Sequence, residues 1–346
     1  MLKLIRLPVR YRCWTEIKPV RCFLSRKEDF IVKEIPLPEI KRKFIRAGSK
    51  IRRMDGSWTL ALIRKKDWNT MDLQKVVAKK LGIPKNNVTF AGNKDKNAVT
   101  EQWFSIKANQ RDIKKLNLKN VDILETRPFN KRLFLGDLLG NEFIIRLQLK
   151  KMTDVKKIEK NISIIKKRGM PNYFGPQRFS EKNHIIGYWL IKDGKKALAM
   201  INSSCKKTYK TLECVPKNLL KFYIHALQSW IFNETINRWL AAEDRAYYKE
   251  ISVVGWKTTL RKNKIDDMIR RVMKNLNLKI QDFKNSHIKV ICPRGGRRKM
   301  FIKVSDINYK SEPYNNLLLN FTLPKGSYAT VLVGQITGNK TDWKAK

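Results

Sequence analysis

Apolar and polar residues alternate along "DFIVKEI" (29–35) and again along "TLALIRKK" (59–66). A period of two marks a strand with one buried face. The pattern then changes. In "WNTMDLQKVVAKKLGIP", Leu73, Val76, Val77 and Leu81 fall on one helical stripe, Thr70 is placed to cap the start, and Gly82 and Pro84 close the end. "NNVTFAG" and "EQWFSIKA" return to strand, and the decapeptide "AGNKDKNAVT" (91–100) connects them. "KRLFLGDLLGNEFIIRLQL" (131–149) reads as a glycine-rich turn followed by a strand. "TDVKKIEKNISIIKKRG" (153–169) reads as a helix with Thr153 as cap, Val155, Ile158, Ile162 and Ile165 as its buried stripe and Gly169 as its stop. Lysines cover the rest of that helix, which makes it either a face for an anionic partner or a solvated surface.

"PNYFGPQRFS" (171–180) has no helical period, and its glycine and prolines suggest a backbone held in one shape. Helical patterns dominate from 181 to 285, including "NLLKFYIHALQSWIFNETINRWLAA". After 287, "HIKVICP", "RRKMFIKVSD", "NNLLLNFTLP" and "SYATVLVGQI" all read as strands. The order is mixed, then helical, then strand. It predicts an α+β chain in which a strand-rich domain is interrupted by a second domain and completed by the C-terminal strands.

Charge changes the picture more than length does. The 346 residues carry 75 Lys plus Arg against 30 Asp plus Glu, a formal +45. A globular chain this basic repels itself unless a polyanion shares its surroundings, and nucleic acid is the first candidate. No apolar run reaches the ~18 residues of a membrane span. The opening "MLKLIRLPVRYRCW" lacks the apolar core and cleavage site of a signal peptide; a transit-peptide reading is weakened by Glu16 and by the scarcity of serine. Cys13, Cys22, Cys205, Cys214 and Cys292 form no CxxC, and His184, His225 and His287 are scattered. No metal site is expected, and reduced thiols in a cytoplasmic protein are.

In this acid-poor chain Asp95 sits between Lys94 and Lys96 in a turn. Local sequence allows two readings. Asp95 is either a turn carboxylate bonded to backbone amides, or a carboxylate kept ionised by its lysines for nucleophilic or base chemistry.

"AGNKDKNAVTEQWFSI" resembles the signature of the TruD family of pseudouridine synthases, G-x-K-D-[KR]-x-A-x-T-x-Q. "DFIVKEI", "KRLFLGDLLGNEF", "MPNYFGPQRFS", "ALQSWIFN", "GGRRKMFIKVSDI" and "FTLPKGSYATVL" resemble the same family in the same order, most like its archaeal-type members. The resemblance implies a pseudouridine-synthase catalytic domain on a mixed, largely antiparallel sheet (1–168 and 314–346), an inserted, mostly helical TRUD domain (169–313), and a basic cleft between them. It implies isomerisation of uridine to pseudouridine, characteristically at position 13 of tRNA, by a monomer that needs no cofactor. Asp95 falls on the family's catalytic aspartate.

Phe143 falls where the family stacks an aromatic on the target base, with an ordinary core Phe as the alternative. Asn141 would orient groups near Asp95 or serve the turn after Gly140. Lys94 and Lys96 would hold phosphate or position the aspartate, or be solvated. Asn172, Phe174, Gly175, Gln177 and Arg178 match the motif near the cleft, and Arg178 either contacts phosphate or braces the hinge. Arg297 and Arg298 are a cleft-lining or a solvated pair. Three positions depart from the family pattern. Leu24 stands where a basic residue is usual, leaving Arg26 or Lys27 to substitute. Gly334-Gln335 replaces Arg-Glu, and Ser180 replaces Gly. The first two leave open a catalytically silent RNA-binding protein on the same scaffold.

Overall fold

The structure is a computed structural model that describes residues 8–15, 17–38, 58–94, 96–180, 182–205, 207–284, 291–304 and 306–339. In chain order these form β1 (Cys22–Phe23), β2 (Phe30–Pro36), β3 (Trp58–Lys65), α1 (Thr70–Lys80), β4 (Val88–Phe90), β5 (Val99–Ile106), α2 (Gln110–Lys114), β6 (Val121–Phe129), β7 (Leu138–Leu149) and α3 (Val155–Arg168). There follow β8 (Met170–Pro171), α4 (Asn183–Lys192), α5 (Gly194–Ser204), α6 (Lys217–Ala242), β9 (Glu250–Val253), α7 (Lys264–Asn275), β10 (Gly296–Lys299), β11 (Phe301–Ile302), β12 (Asn308–Glu312), β13 (Asn316–Pro324) and α8 (Ala329–Thr337).

By packing, the described residues fall into two compact units, one built from 20–159 and 304–326, the other from 8–19, 160–303 and 327–339. These cuts lie elsewhere in the chain than the expected domain bounds. The first unit holds the sheet, in the order β12-β13-β7-β2-β5-β3-β6, with β1 added to β7 and β4 to β5. Only β2 and β5 run parallel; the other pairs are antiparallel, so the sheet is mixed and largely antiparallel, as expected. Its alternating strands split their side chains between faces. Ala61, Ile63, Phe104 and Ile106 pack on Leu73, Val77 and Ala78 of α1, while Leu60 and Trp103 meet Phe129 and Leu133.

The second unit is mainly helical, with two short antiparallel pairs, β9 with β10 and β8 with β11. The long α6 runs through its core and buries Leu227, Trp230, Ile231, Phe232 and Ile236. Among the described residues, no helix is long and apolar enough to cross a membrane. No group of three His, Cys, Asp or Glu among them could hold a metal.

Several local expectations change. "SYATVLVGQI" is not a strand. Residues 329–337 form α8, buried on every side and closed by Gly338 at φ +66. Thr330, Gln335 and Thr337 are buried along with the apolar residues, so the run shows no exposed polar face to betray its period, and strand and helix read alike. "RRKMFIKVSD" breaks at Met300 into β10 and β11, which pair with different partners. "HIKVICP" lies partly outside the described residues, and Ile291–Pro293 form no strand. Asn69, not Thr70, caps α1, its side chain accepting the Asp72 N–H at 2.8 Å. Thr153 lies in a short 3-10 turn ahead of α3. The strand β6 was not foreseen, because Asp122, Glu125 and Arg127 hide its alternation.

Ser180, the residue in place of Gly, has φ +41. A side chain there carries a steric penalty that glycine avoids. Ser180→Gly is therefore expected to stabilise the protein by about 1 kcal/mol, read as a raised midpoint in thermal unfolding; an unchanged or lowered midpoint contradicts the strain.

Candidate functional site

The loop 91–98 hangs between β4 and β5 in the sheet unit. Asp95 itself lies outside the described residues, but its neighbour Lys94 is held at three points. The Lys94 N–H donates to Thr70 Oγ1 at 2.8 Å. Its carbonyl accepts from the buried Lys65 Nζ at 3.5 Å. Its ammonium pairs with Glu34 Oε1 at 2.6 Å, where the two side chains are 10% and 1% exposed. Thr70, freed from capping, also donates to Gln102 Oε1 at 3.0 Å, and Gln102 Nε2 donates to the Gly92 carbonyl. A side chain at Gly92 would crowd the ion pair: a Cβ would sit 3.0 Å from Lys94 Nζ and 3.1 Å from Glu34 Oε1, so the pair would have to shift by a few tenths of an ångström.

Glu34 is the residue that sequence reasoning missed. Its second oxygen accepts the Trp103 N–H at 3.0 Å, so one carboxylate ties β2 to β5 and to the loop. Burial pushes the Glu34 carboxyl above its ordinary range, while the Lys94 ammonium, the Trp103 N–H and the Lys65 charge pull it back. The signal was present: the alternation of "FIVKEI" puts Glu34 on the face of Val32, and both are buried.

Asn141 lies opposite Glu34 in the β2–β7 register and opposite Leu323 in the β7–β13 register. Its Oδ1 is buried and accepts no hydrogen bond from a described residue. The preceding Gly140 is there because a Cβ would come within 2.2 Å of the Leu323 carbonyl oxygen. Phe143 is buried, with its ring stacked on Phe321 at 5.4 Å and Phe30 at 6.3 Å. Those are the contacts of a core residue. Lys96 is exposed on the loop. Leu24 is buried, Lys27 pairs with Asp67 at 2.5 Å, and Arg26 accepts the Asp29 N–H through its carbonyl.

The helical unit holds the other candidates. In "PNYFGPQRFS", Asn233 of α6 grips Phe174 at both backbone groups, at 2.9 Å each. Asn237 accepts from the fully buried Tyr173 hydroxyl at 2.7 Å. Asn172 accepts from Arg298 at its carbonyl (2.9 and 3.0 Å) and its Oδ1 (2.7 Å), and donates to the Lys299 carbonyl at 3.0 Å. The Arg298 guanidinium lies 4.3 Å from the Phe174 ring centroid. Burial, with the Arg178 charge adding, brings it down to about 10. Arg298 thus braces the motif.

Arg178 differs. Its guanidinium lies near Phe222 and Phe174, at 5.5 and 5.8 Å. Its Nε is buried and has no acceptor among the described residues. Gln177 is exposed and accepts from Thr330 at 3.2 Å. Arg297 turns away from Arg298 to the surface, on Glu250. At the last departure, a Cβ on Gly334 would strike the Tyr11 ring at 2.2 Å, and Gln335 holds the Arg10 carbonyl.

The family model of tRNA pseudouridine synthase D (TruD) matches residues 14–205 and 240–336. The chain belongs to the TruD family. A probable tRNA pseudouridine synthase D of Thermococcus sibiricus is 27% identical to this TruD-family chain, over 90% of the chain and 93% of the relative. The tRNA pseudouridine synthase D of Aquifex aeolicus is 24% identical, over 90% and 97%. A crystal structure titled as the putative tRNA pseudouridine synthase D (TruD) of Methanosarcina mazei superposes with a TM-score of 0.71, covering 96% of each chain at 21% identity. That likeness concerns the fold of this TruD-family chain.

Breaking a buried ion pair leaves one charge uncompensated, at a cost of about 3–5 kcal/mol. Lys94→Met is expected to lose about that much at neutral pH, and Glu34→Gln/Lys94→Met to recover most of it. A carboxyl whose folded pKa is raised contributes stability below its ordinary value, 4.5 here, and loses that contribution as pH rises through the folded value. The Lys94→Met penalty therefore shrinks on acidification. Equal penalties in single and double variants, or a penalty that does not change with pH, contradict the pairing.

Proposed function

We propose that this chain isomerises uridine to pseudouridine in tRNA, at position 13, as a monomer, with Asp95 as the reactive carboxylate. The family match, which runs unbroken through the Asp95 loop, carries this reading. The anchoring of Lys94 supports it: a reacting group must be held to a fraction of an ångström, and the residue before Asp95 is fixed at its N–H, carbonyl and ammonium.

Uridine and pseudouridine are isomers, so the reaction needs no co-reactant. The bond from C1′ to N1 breaks, either by attack of the Asp95 carboxylate on C1′ or after it takes the C2′ proton. The uracil turns and its C5 bonds to C1′, displacing the Asp95 carboxylate in the first route or with the proton returned to C2′ in the second; the C5 proton leaves to water and N1 takes one up. The target must first leave the base stack. Asn141, with its buried Oδ1 beside Glu34 in register, is the orienting group. Arg178, whose Nε has no acceptor among the described residues, and the exposed Lys96 contact phosphate, and Gln177 lies beside Arg178 on the same turn. Exposed Arg297 adds charge. Asn172 and Arg298 shape the motif that presents Arg178. Phe143 serves the aromatic column of the sheet rather than the uracil.

A silent RNA-binding protein on this scaffold is favoured by one observation: the positions of the missing basic groups are filled by packing, Leu24 in the core and Gly334 under Tyr11. One experiment separates the two. Native protein is expected to release tritium from tRNA labelled at uridine C5, and Asp95→Asn to lose about 10^3-fold or more of that rate. RNA binding should persist in the variant and weaken steeply with salt. An active Asp95→Asn refutes the carboxylate, and an inactive native protein that binds tRNA tightly selects the silent reading.

A further inference from the structure

Between β6 and β7 the chain runs through "RLFLGDLL" (132–139), whose backbone is tied down while its apolar tips face solvent. The Leu133 N–H donates to Ser105 Oγ at 2.7 Å, and Leu133 is buried. The Phe134 N–H donates to Asp137 Oδ2 at 2.8 Å. Gly136, at φ +100, donates its N–H to the Ala91 carbonyl at 2.7 Å, and its own carbonyl accepts from Lys325 Nζ at 2.9 Å. Leu138 is buried. Yet Phe134 is 54% exposed, Leu135 69% and Leu139 47%.

Single exposed apolar residues are ordinary. Three within six positions, on a backbone pinned at this many points, are not, and the pinning is directed. Ala91 opens the loop that carries Asp95, so this second loop is bonded directly to the first. Its flanks are cationic. Lys131 and Arg132 are exposed, and the Arg132 guanidinium lies 4.6 Å from the Phe134 ring centroid, over one of its faces. An apolar tip with Lys131 and Arg132 leading into it and the Lys325 ammonium on its Gly136 carbonyl suits a stacked polyanion better than an apolar protein surface.

We propose that loop 132–139 is a wedge that enters the RNA stack beside the target uridine, with Phe134 and Leu135 filling the gap left by the flipped base. The proposal rests on the reading that the substrate is an RNA uridine. A vacated stack exposes the faces of two neighbouring bases, and an apolar side chain between them offsets the lost stacking. Because the backbone is already ordered, little conformational entropy is lost on insertion. Arg132 holds the Phe134 ring from behind and meets the adjacent phosphates. The wedge residues are positioning residues, acting on the target's conformation and not on its bonds.

Phe134→Ala/Leu135→Ala trims side chains that are 54% and 69% exposed and leaves the pinned backbone intact, so the fold should persist, checked by thermal unfolding. On folded tRNA the variant is expected to lose about tenfold or more in kcat, with KM and tRNA affinity near native. On a short unpaired RNA carrying the target uridine, where no stack must open, it should match the native protein. Phe134→Trp should restore the rate on tRNA. A second readout does not depend on chemistry. Asp95→Asn protein added to tRNA with 2-aminopurine next to uridine 13 should raise its fluorescence, and adding the two alanines should abolish the rise. A native rate on folded tRNA, equal losses on both RNAs, or an undiminished fluorescence rise overturns the wedge. A changed oligomeric state in sedimentation with the rise intact would assign the patch to a second copy of the chain instead. If the native protein makes no pseudouridine, the proposed function fails, while the fluorescence comparison still decides whether this loop unstacks a base.

Discussion

The contact on which the sheet unit's candidate chemistry depends is a carboxylate that is almost wholly inside. Glu34 reaches from β2 to the Trp103 N–H of β5 and to the Lys94 ammonium in the loop that β5 follows. An isolated buried charge is costly, and here it is tolerated because each oxygen has a donor and two cations stand nearby. The same arrangement makes the loop's shape a property of the core. Lys94 cannot leave without stranding Glu34, and Thr70 and Gln102 hold the loop's backbone from the other side. Gly92 and Lys94 are thereby tied to the core of the sheet.

The surplus of positive charge divides by the same logic. A cation with a built-in acceptor is part of the scaffold; one without is available to a polyanion. Lys94, Lys65 and Arg298 are of the first kind, each engaged by carbonyls or a carboxylate of its own unit. Among the described residues, Arg178 Nε has no acceptor and Lys96 is exposed, so neither is tied into the scaffold in that way. In the helical unit the division is made by α6, whose Asn233 and Asn237 grip the backbone of Phe174 and the hydroxyl of Tyr173. That grip fixes a segment with no regular structure of its own and so sets the direction in which Arg178 can point.

Much of the fold was legible. The period-two runs became β2, β3 and β13, the stripe of Val155, Ile158, Ile162 and Ile165 is the buried face of α3, and Gly82 and Gly169 end their helices with positive φ. What failed did so for local reasons. Residues 329–337 bury Thr330, Gln335 and Thr337 among their apolar side chains, and β6 carries charge on both faces, so neither shows a clean period. The candidate site was legible as a set of residue types and not as a set of roles. Lys94 and Lys96 look alike in "NKDKN", yet one is an internal counter-ion and the other an exposed cation. Arg297 and Arg298 are neighbours, yet strand alternation sends one outward and folds the other over Phe174.

By itself the sequence determined which strands and helices form where one face is apolar, which family the motifs belong to, and that the chain carries a formal charge of +45. These follow from local periodicity, from the order of short motifs and from net charge, none of which needs three dimensions. The tertiary structure alone decided the partner of each charge: that Glu34 answers Lys94, that Asn172 occupies Arg298, that Gly136 binds Ala91. Each is a contact between segments from 45 to 126 residues apart, and a local pattern can state which face a residue lies on but not how deeply it sits or what meets it there.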